Sequence, residues 1–123
     1  NKLQHVAVQL NIGSKLQHDG FDLWVGCMMN DDKSWRTMKK YNMQDVVLTE
    51  QVYERLLPWI KTHPHRGLYD GDLDGCPRCG HDDLVVNRYY RTRTGKYRIM
   101  QCKACGGYTK DSKVIETVTN TSI

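Results

Sequence analysis

Cys76-Pro77-Arg78-Cys79-Gly80 and Cys102-Lys103-Ala104-Cys105-Gly106 are the two stretches on which the reading of this 123-residue chain turns. Twenty-two residues separate Cys79 from Cys102. Two Cys-x-x-Cys pairs, each followed by glycine, suit a tetrahedral four-cysteine zinc site. The two-residue spacer lets both sulfurs of a pair face one ion at about 2.3 Å, and glycine permits the tight turn behind them. A disulfide pair or a redox Cys-x-x-Cys is the competing reading. A redox motif comes singly and near a βαβ pattern, so the matched second pair favours zinc. Four protein ligands close the coordination sphere, and the expected Zn²⁺ is structural. With Cys76, Cys79, Cys102 and Cys105 as ligands, Cys27 remains as a small apolar residue, and this cysteine usage fits a reducing compartment.

Between the pairs, Asp83–Tyr90 and Tyr97–Cys102 are rich in β-branched and aromatic residues and flank Thr94-Gly95. The pattern predicts a hairpin turning at Arg93–Lys96, with a last short strand over Tyr108–Val118. This arm interleaves Arg88, Arg91, Arg93, Lys96 and Arg98 with Tyr89, Tyr90 and Tyr97, opposed only by Asp82 and Asp83. Cations pair with phosphates and rings stack on bases, so these eight residues form a candidate nucleic-acid contact. A solvated edge hairpin, guarded by its charges against aggregation, is the plainer alternative. The formal charge of +4 counts cysteines as neutral. Four thiolates on one Zn²⁺ lower it to about +2, so the distribution of charge says more than its sum.

Upstream, residues 63–75 hold Pro64, three glycines and Asp70, Asp72 and Asp74, and read as a linker. Without a glutamate at the far end of the EF-hand pattern the acidic run is a solvated connector, and His63 and His65 are loop residues. Residues 34–60 lack glycine and carry proline only at position 58. Trp35, Met38, Val46, Val47, Val52, Leu56 and Ile60 recur at helical intervals, which predicts one long helix or two meeting near Tyr41–Asn42. Asn30-Asp31-Asp32 supplies its cap. Residues 13–29 read as irregular, with Phe21 and Trp24 burying their rings to anchor a loop. Leu3, Val6, Ala7 and Leu10 predict a first amphipathic helix over residues 1–10, stopped at Gly13. The fold class expected is α+β: a helical portion over residues 1–62, the linker, a β zinc ribbon over 76–118 and a frayed tail. No apolar run of membrane-spanning length or signal-peptide pattern occurs, so the expectation is a soluble, cytoplasmic protein without a membrane partner.

Tyr41-Asn-Met-Gln-Asp45 sets a tyrosine and a carboxylate on one helix face. Together with the residues through Trp59, it resembles the third motif region of the DEDDy-type 3′–5′ exonucleases, which have the ribonuclease H-like fold. Leu3…Val6-Ala7…Leu10-Asn-Ile-Gly-Ser-Lys15 resembles the helix and turn before that motif. Asp22-Leu23-Trp24 is similar to the connecting loop of phage and bacterial members, some of which end in a zinc ribbon. The resemblance implies that Asp45 binds a catalytic Mg²⁺ or Mn²⁺ and that Tyr41 orients the attacking water. The family's Asp-x-Glu and second-motif Asp do not occur in this sequence. The chain is therefore expected to be the C-terminal part of a nuclease or a relic of one, inactive alone. An N-terminal exonuclease half would complete it, or the chain would self-associate through its uncovered apolar faces, in the host cytoplasm if phage-encoded. The first function expected is this exonuclease portion, with a ribbon that binds substrate, DNA before RNA. Behind it stand a non-catalytic nucleic-acid-binding module and a protein-interaction regulator.

Overall fold

The computed structural model describes residues 2–17 and 20–123 and has a mixed α+β architecture. The chain divides into two compact units, Asn1–Arg55 and Leu56–Ile123.

The first unit is helical. Helix α1 spans Lys2–Gln9 and buries Ala7; Asn1, where the expected helix begins, lies outside the described residues. Its stop is Asn11 rather than Gly13. Asn11 takes a left-handed φ of 55°, a conformation that its short polar side chain tolerates. Residues 21–28, expected to be irregular, form helix α2 (Phe21–Met28). Leu23 and Cys27 lie one turn apart on this helix and cluster with Met38, and that burial outweighs the glycine. Gly26 acts as a close-approach residue: a Cβ there would lie 2.1 Å from Ser34 Oγ. The expected aromatic anchor is not formed. Phe21 and Trp24 fall outside the Leu23–Cys27 stripe and are 76% and 57% exposed.

Helix α3 runs unbroken from Asp32 to Leu56, without an interruption at Tyr41–Asn42. Asp31 caps it, its Oδ2 accepting from the Ser34 backbone N–H at 2.8 Å and the Ser34 hydroxyl at 2.7 Å. Met38 and Leu48 supply its buried contacts. A 3₁₀ turn over Leu57–Trp59 follows, placing Pro58 where its missing N–H costs little.

In the second unit, the proline- and glycine-rich segment contains a single helical turn, α4 (Gly67–Asp70), closed by Gly71 at φ 89°. It is bonded to the first cysteine turn, the Arg66 N–H donating to the Pro77 carbonyl at 2.8 Å. Strands β1 (Leu84–Arg91), β2 (Gly95–Cys102) and β3 (Tyr108–Thr117) form one antiparallel sheet in that order. The β1–β2 hairpin matches the expectation, and β3 extends the sheet for ten residues. A bulge at Asn87 and two irregularities in β2–β3 shift the registers. Among the described residues of this unit, the buried apolar side chains are those of Cys76 and Cys102.

Candidate metal centre and nucleic-acid face

The two cysteine pairs fold into matching turns. The Gly80 N–H donates to the Cys76 carbonyl and the Gly106 N–H to the Cys102 carbonyl, each at 2.9 Å. Gly80 and Gly106 close these turns at φ 79° and 76°, where a Cβ would be strained. The turns bring the four sulfurs within 4.8 Å of one another. Cys76 Sγ lies 3.8 Å from Cys105 Sγ, and Cys79 Sγ lies 3.6 Å from Cys102 Sγ. Bonds of about 2.3 Å to a tetrahedral ion imply sulfur–sulfur edges of about 3.8 Å. The geometry can therefore hold one metal ion, and no pair is bridged as a disulfide.

Burial pushes the Cys79 thiol up to about 12 and raises Cys105 as well. Burial acts in the same direction on Cys76, but hydrogen bonds from the backbone N–H groups of Cys79 and Arg78 bring its value below the ordinary one. Four thiolates at this spacing repel, and a divalent cation at their centre removes the conflict.

Arg78, inside the first turn, is 9% exposed. Its Nε donates to the Ile60 carbonyl and its Nη1 to the Tyr108 carbonyl, both at 2.8 Å. It fastens the cysteine turn to the 3₁₀ segment and to β3.

Seven of the eight residues expected to meet nucleic acid divide between the two faces of the sheet, and Arg93 lies in the turn between β1 and β2. Cross-strand partners share a face, so Tyr89–Arg98 and Arg91–Lys96 lie on one side and Tyr90–Tyr97 and Arg88–Ile99 on the other. The first is the inner face, where Leu84, Arg98 and Met100 border a cleft shared with His65, Leu73 and Pro77. Its cations are largely engaged. Arg98 Nη2 contacts Asp111 Oδ2 at 2.7 Å, and Lys96 Nζ contacts Glu116 Oε1 at 3.0 Å while lying 4.9 Å from the centre of the Tyr89 ring. Arg93 donates to the Ser122 carbonyl from within the turn.

The other, outer face also receives Tyr108 opposite Gln101, Lys110 opposite Ile99, and Val114 opposite Tyr97. Lys110 Nζ lies 4.9 Å from the Tyr97 ring centre and 5.4 Å from that of Tyr90, and the Arg88 guanidinium lies 5.9 Å from the Tyr108 ring centre. Tyr108 and Lys110 belong to this surface although they lie outside the hairpin. The signal for them is the cysteine turn at Gly106-Gly107, which feeds directly into an alternating strand.

Tyr41 and Asp45 do share a helix face, and Lys15 joins them. Lys15 Nζ sits 2.7 Å from Asp45 Oδ2 and 5.2 Å from the centre of the Tyr41 ring. Hydrogen bonds to Asp45 and Tyr41 raise the lysine above its ordinary value. Asp45 Oδ1 is buried without a hydrogen-bond partner. Among the described residues, the four cysteines alone form a group of three or more metal-ligating side chains. A single carboxylate already matched by an ammonium does not fit a two-cation centre. The chain matches no family model, no curated protein and no solved structure.

Proposed function

We propose that this chain is a nucleic-acid-binding module built on a zinc ribbon. The observation that carries this reading is a sheet anchored at the four-thiolate centre with its basic side chains interleaved among tyrosine rings. Soft thiolates at tetrahedral spacing select Zn²⁺ over the hard cations Mg²⁺ and Ca²⁺. Phosphates supply the charge that Arg88, Arg91 and Lys110 lack, because no ion pair engages these three cations among the described residues. Elemental analysis of the purified chain is expected to find one zinc per molecule. Titration with labelled oligonucleotides is expected to give an affinity that falls linearly with log salt. A metal-free folded sheet, or no nucleic-acid binding at low salt, overturns the reading.

A second reading rests on Tyr41 and Asp45 sharing a helix face and on the unpartnered Asp45 Oδ1: the helical unit as part of a DEDDy-type 3′–5′ exonuclease, with the ribbon delivering substrate and Lys15 displaced from Asp45 when the cations bind. It requires further carboxylates from outside this chain. The test supplies a polypeptide bearing the Asp-x-Glu strand and follows Mg²⁺-dependent loss of nucleotides from 3′ ends. Asp45→Ala abolishes that activity if the reading holds, and nuclease activity of the chain alone refutes this arrangement.

A further inference from the structure

We infer that the outer face of the sheet is a stacking platform for a short unpaired strand of nucleic acid, a refinement that rests on the nucleic-acid-binding reading above. The bulge at Asn87 and the β2–β3 register set three rows across this face. Tyr90, Tyr97 and Val114 form one row, Arg88, Ile99 and Lys110 the next, and Val85, Gln101 and Tyr108 the last. A cationic row thus runs between two rows that carry rings. Among the described residues no carboxylate is paired onto this face, whereas the inner face matches Lys96 with Glu116 and Arg98 with Asp111. Two of the sheet cations without an ion pair among the described residues, Arg88 and Lys110, therefore lie on the same side as three of the sheet's four tyrosines, while Arg91 and Tyr89, 47% exposed, stand on the inner face.

Ring geometry decides between a single strand and a duplex. Tyr90 and Tyr108 are 49% and 46% exposed, and an exposed ring stacks on a base only when that base presents its face. Duplex bases hide their faces against their neighbours. Groove entry is equally unsuited to this surface, since a major groove admits a helix or a two-stranded ribbon and this sheet has three strands. From Tyr97 to Gln101, beside which Tyr108 sits, is four residues of strand, or about 13 Å. A span of this length accommodates a short unpaired segment, with rings at either end and cations between them for the phosphates. Arg88 and Lys110 already lie over the rings, which narrows the side-chain freedom that binding would otherwise remove.

The test is fluorescence anisotropy of the full chain with a labelled single-stranded DNA, the matching RNA and the DNA duplex, across a salt series. Single strands are expected to bind tighter than the duplex, and the DNA and RNA arms report which of the two is preferred. Tyr97→Leu is expected to weaken single-strand binding about tenfold, the loss of one stacked base, while Tyr97→Phe, which keeps the ring, restores most of it. Arg88→Gln with Lys110→Gln is expected to reduce the slope of log K against log salt by about 1.4, at about 0.7 per phosphate contact on a single strand. This pair leaves every ring and strand in place, so it keeps the proposal falsifiable if Tyr97→Leu loses its zinc or its sheet. Equal affinity for duplex and single strand, or an unchanged salt slope, overturns the platform while leaving the nucleic-acid reading intact. No binding to any of the three probes overturns both.

Discussion

Removing the metal should unfold the second unit and leave the helices of the first. The magnitudes follow from what this unit buries. Across Leu56–Ile123 the buried apolar side chains are those of two cysteines, Cys76 and Cys102, each 0% exposed. Leu84, Val85, Ile99 and Met100 are only half-buried. Domains below about 70–80 residues rarely draw more than 3–5 kcal/mol from a core, and this one has little core to draw on. A structural Zn²⁺ contributes about 10–16 kcal/mol in small zinc modules at neutral pH. The ion's contribution exceeds any stability the sheet has without it, so the apo unit lies on the unfolded side. Cys102→Ser should act in the same direction, because it sets a hard hydroxyl at a fully buried ligand position at the end of β2.

Two-dimensional amide NMR is the assay, with a chelator added at neutral pH and zinc then restored. Dispersed strand signals from Leu84–Cys102 and Tyr108–Thr117 should collapse and return with the metal, while signals from Asp32–Arg55 keep their helical shifts. Strand signals that stay dispersed in excess chelator would refute the reasoning, as would a chain that never contained zinc.

Two further outcomes concern the helical unit. Asp45→Asn removes the charge matching Lys15 Nζ at 2.7 Å, in a pair whose side chains are 12% and 25% exposed. It should destabilise the unit by about 1–2 kcal/mol in urea melts followed by helical ellipticity, and an unchanged midpoint would mean that the pair contributes nothing. Asp31 is held below its ordinary value of 3.8, first by the Ser34 hydroxyl and then by the Ser34 N–H. A depressed carboxylate stabilises fully above its unfolded value and loses that contribution as pH falls through the folded one, so the advantage of wild type over Asp31→Ala should shrink from about pH 4 downward. A difference that stays constant through that range contradicts the capping account.

How much of this was legible in the sequence depended on how local each signal was. The cysteine turns were readable because ligand spacing and the following glycine are fixed within five residues. Helix α3 was readable because nothing between Ser34 and Leu57 breaks a helix. Helix α2 was not: Gly20 and Gly26 look like breakers until Ser34 is seen to lie where a Gly26 side chain would go. Nor could the two faces of the sheet be sorted. Strict alternation puts Val86 and Arg88 on one side, and the extra residue at Asn87 parts them. Tyr108 and Lys110 reach the outer face only through β3, whose register with β2 is irregular. Lys15 belongs with Tyr41 and Asp45 through a turn that no periodicity predicts.

Arg78 marks the point where metal binding and the outer face become one problem. It stands between two of the four clustered cysteines, and by composition it would be counted among the phosphate-binding cations. Its burial and its bonds assign it another task. The guanidinium donates to the Ile60 carbonyl and to the Tyr108 carbonyl, leaving it turned inward. The Tyr108 end of the outer face is thus clamped to the first cysteine turn, while Cys102 ends the central strand at the second. A base stacking on a ring gains only what remains after the ring has been ordered. Here the ordering comes from two cysteine turns, one buried arginine and the cations lying over the rings. The four thiolates contribute nothing to phosphate binding directly. Their place is structural: the second cysteine turn ends the strand that carries Tyr97 and leads into the strand that carries Tyr108.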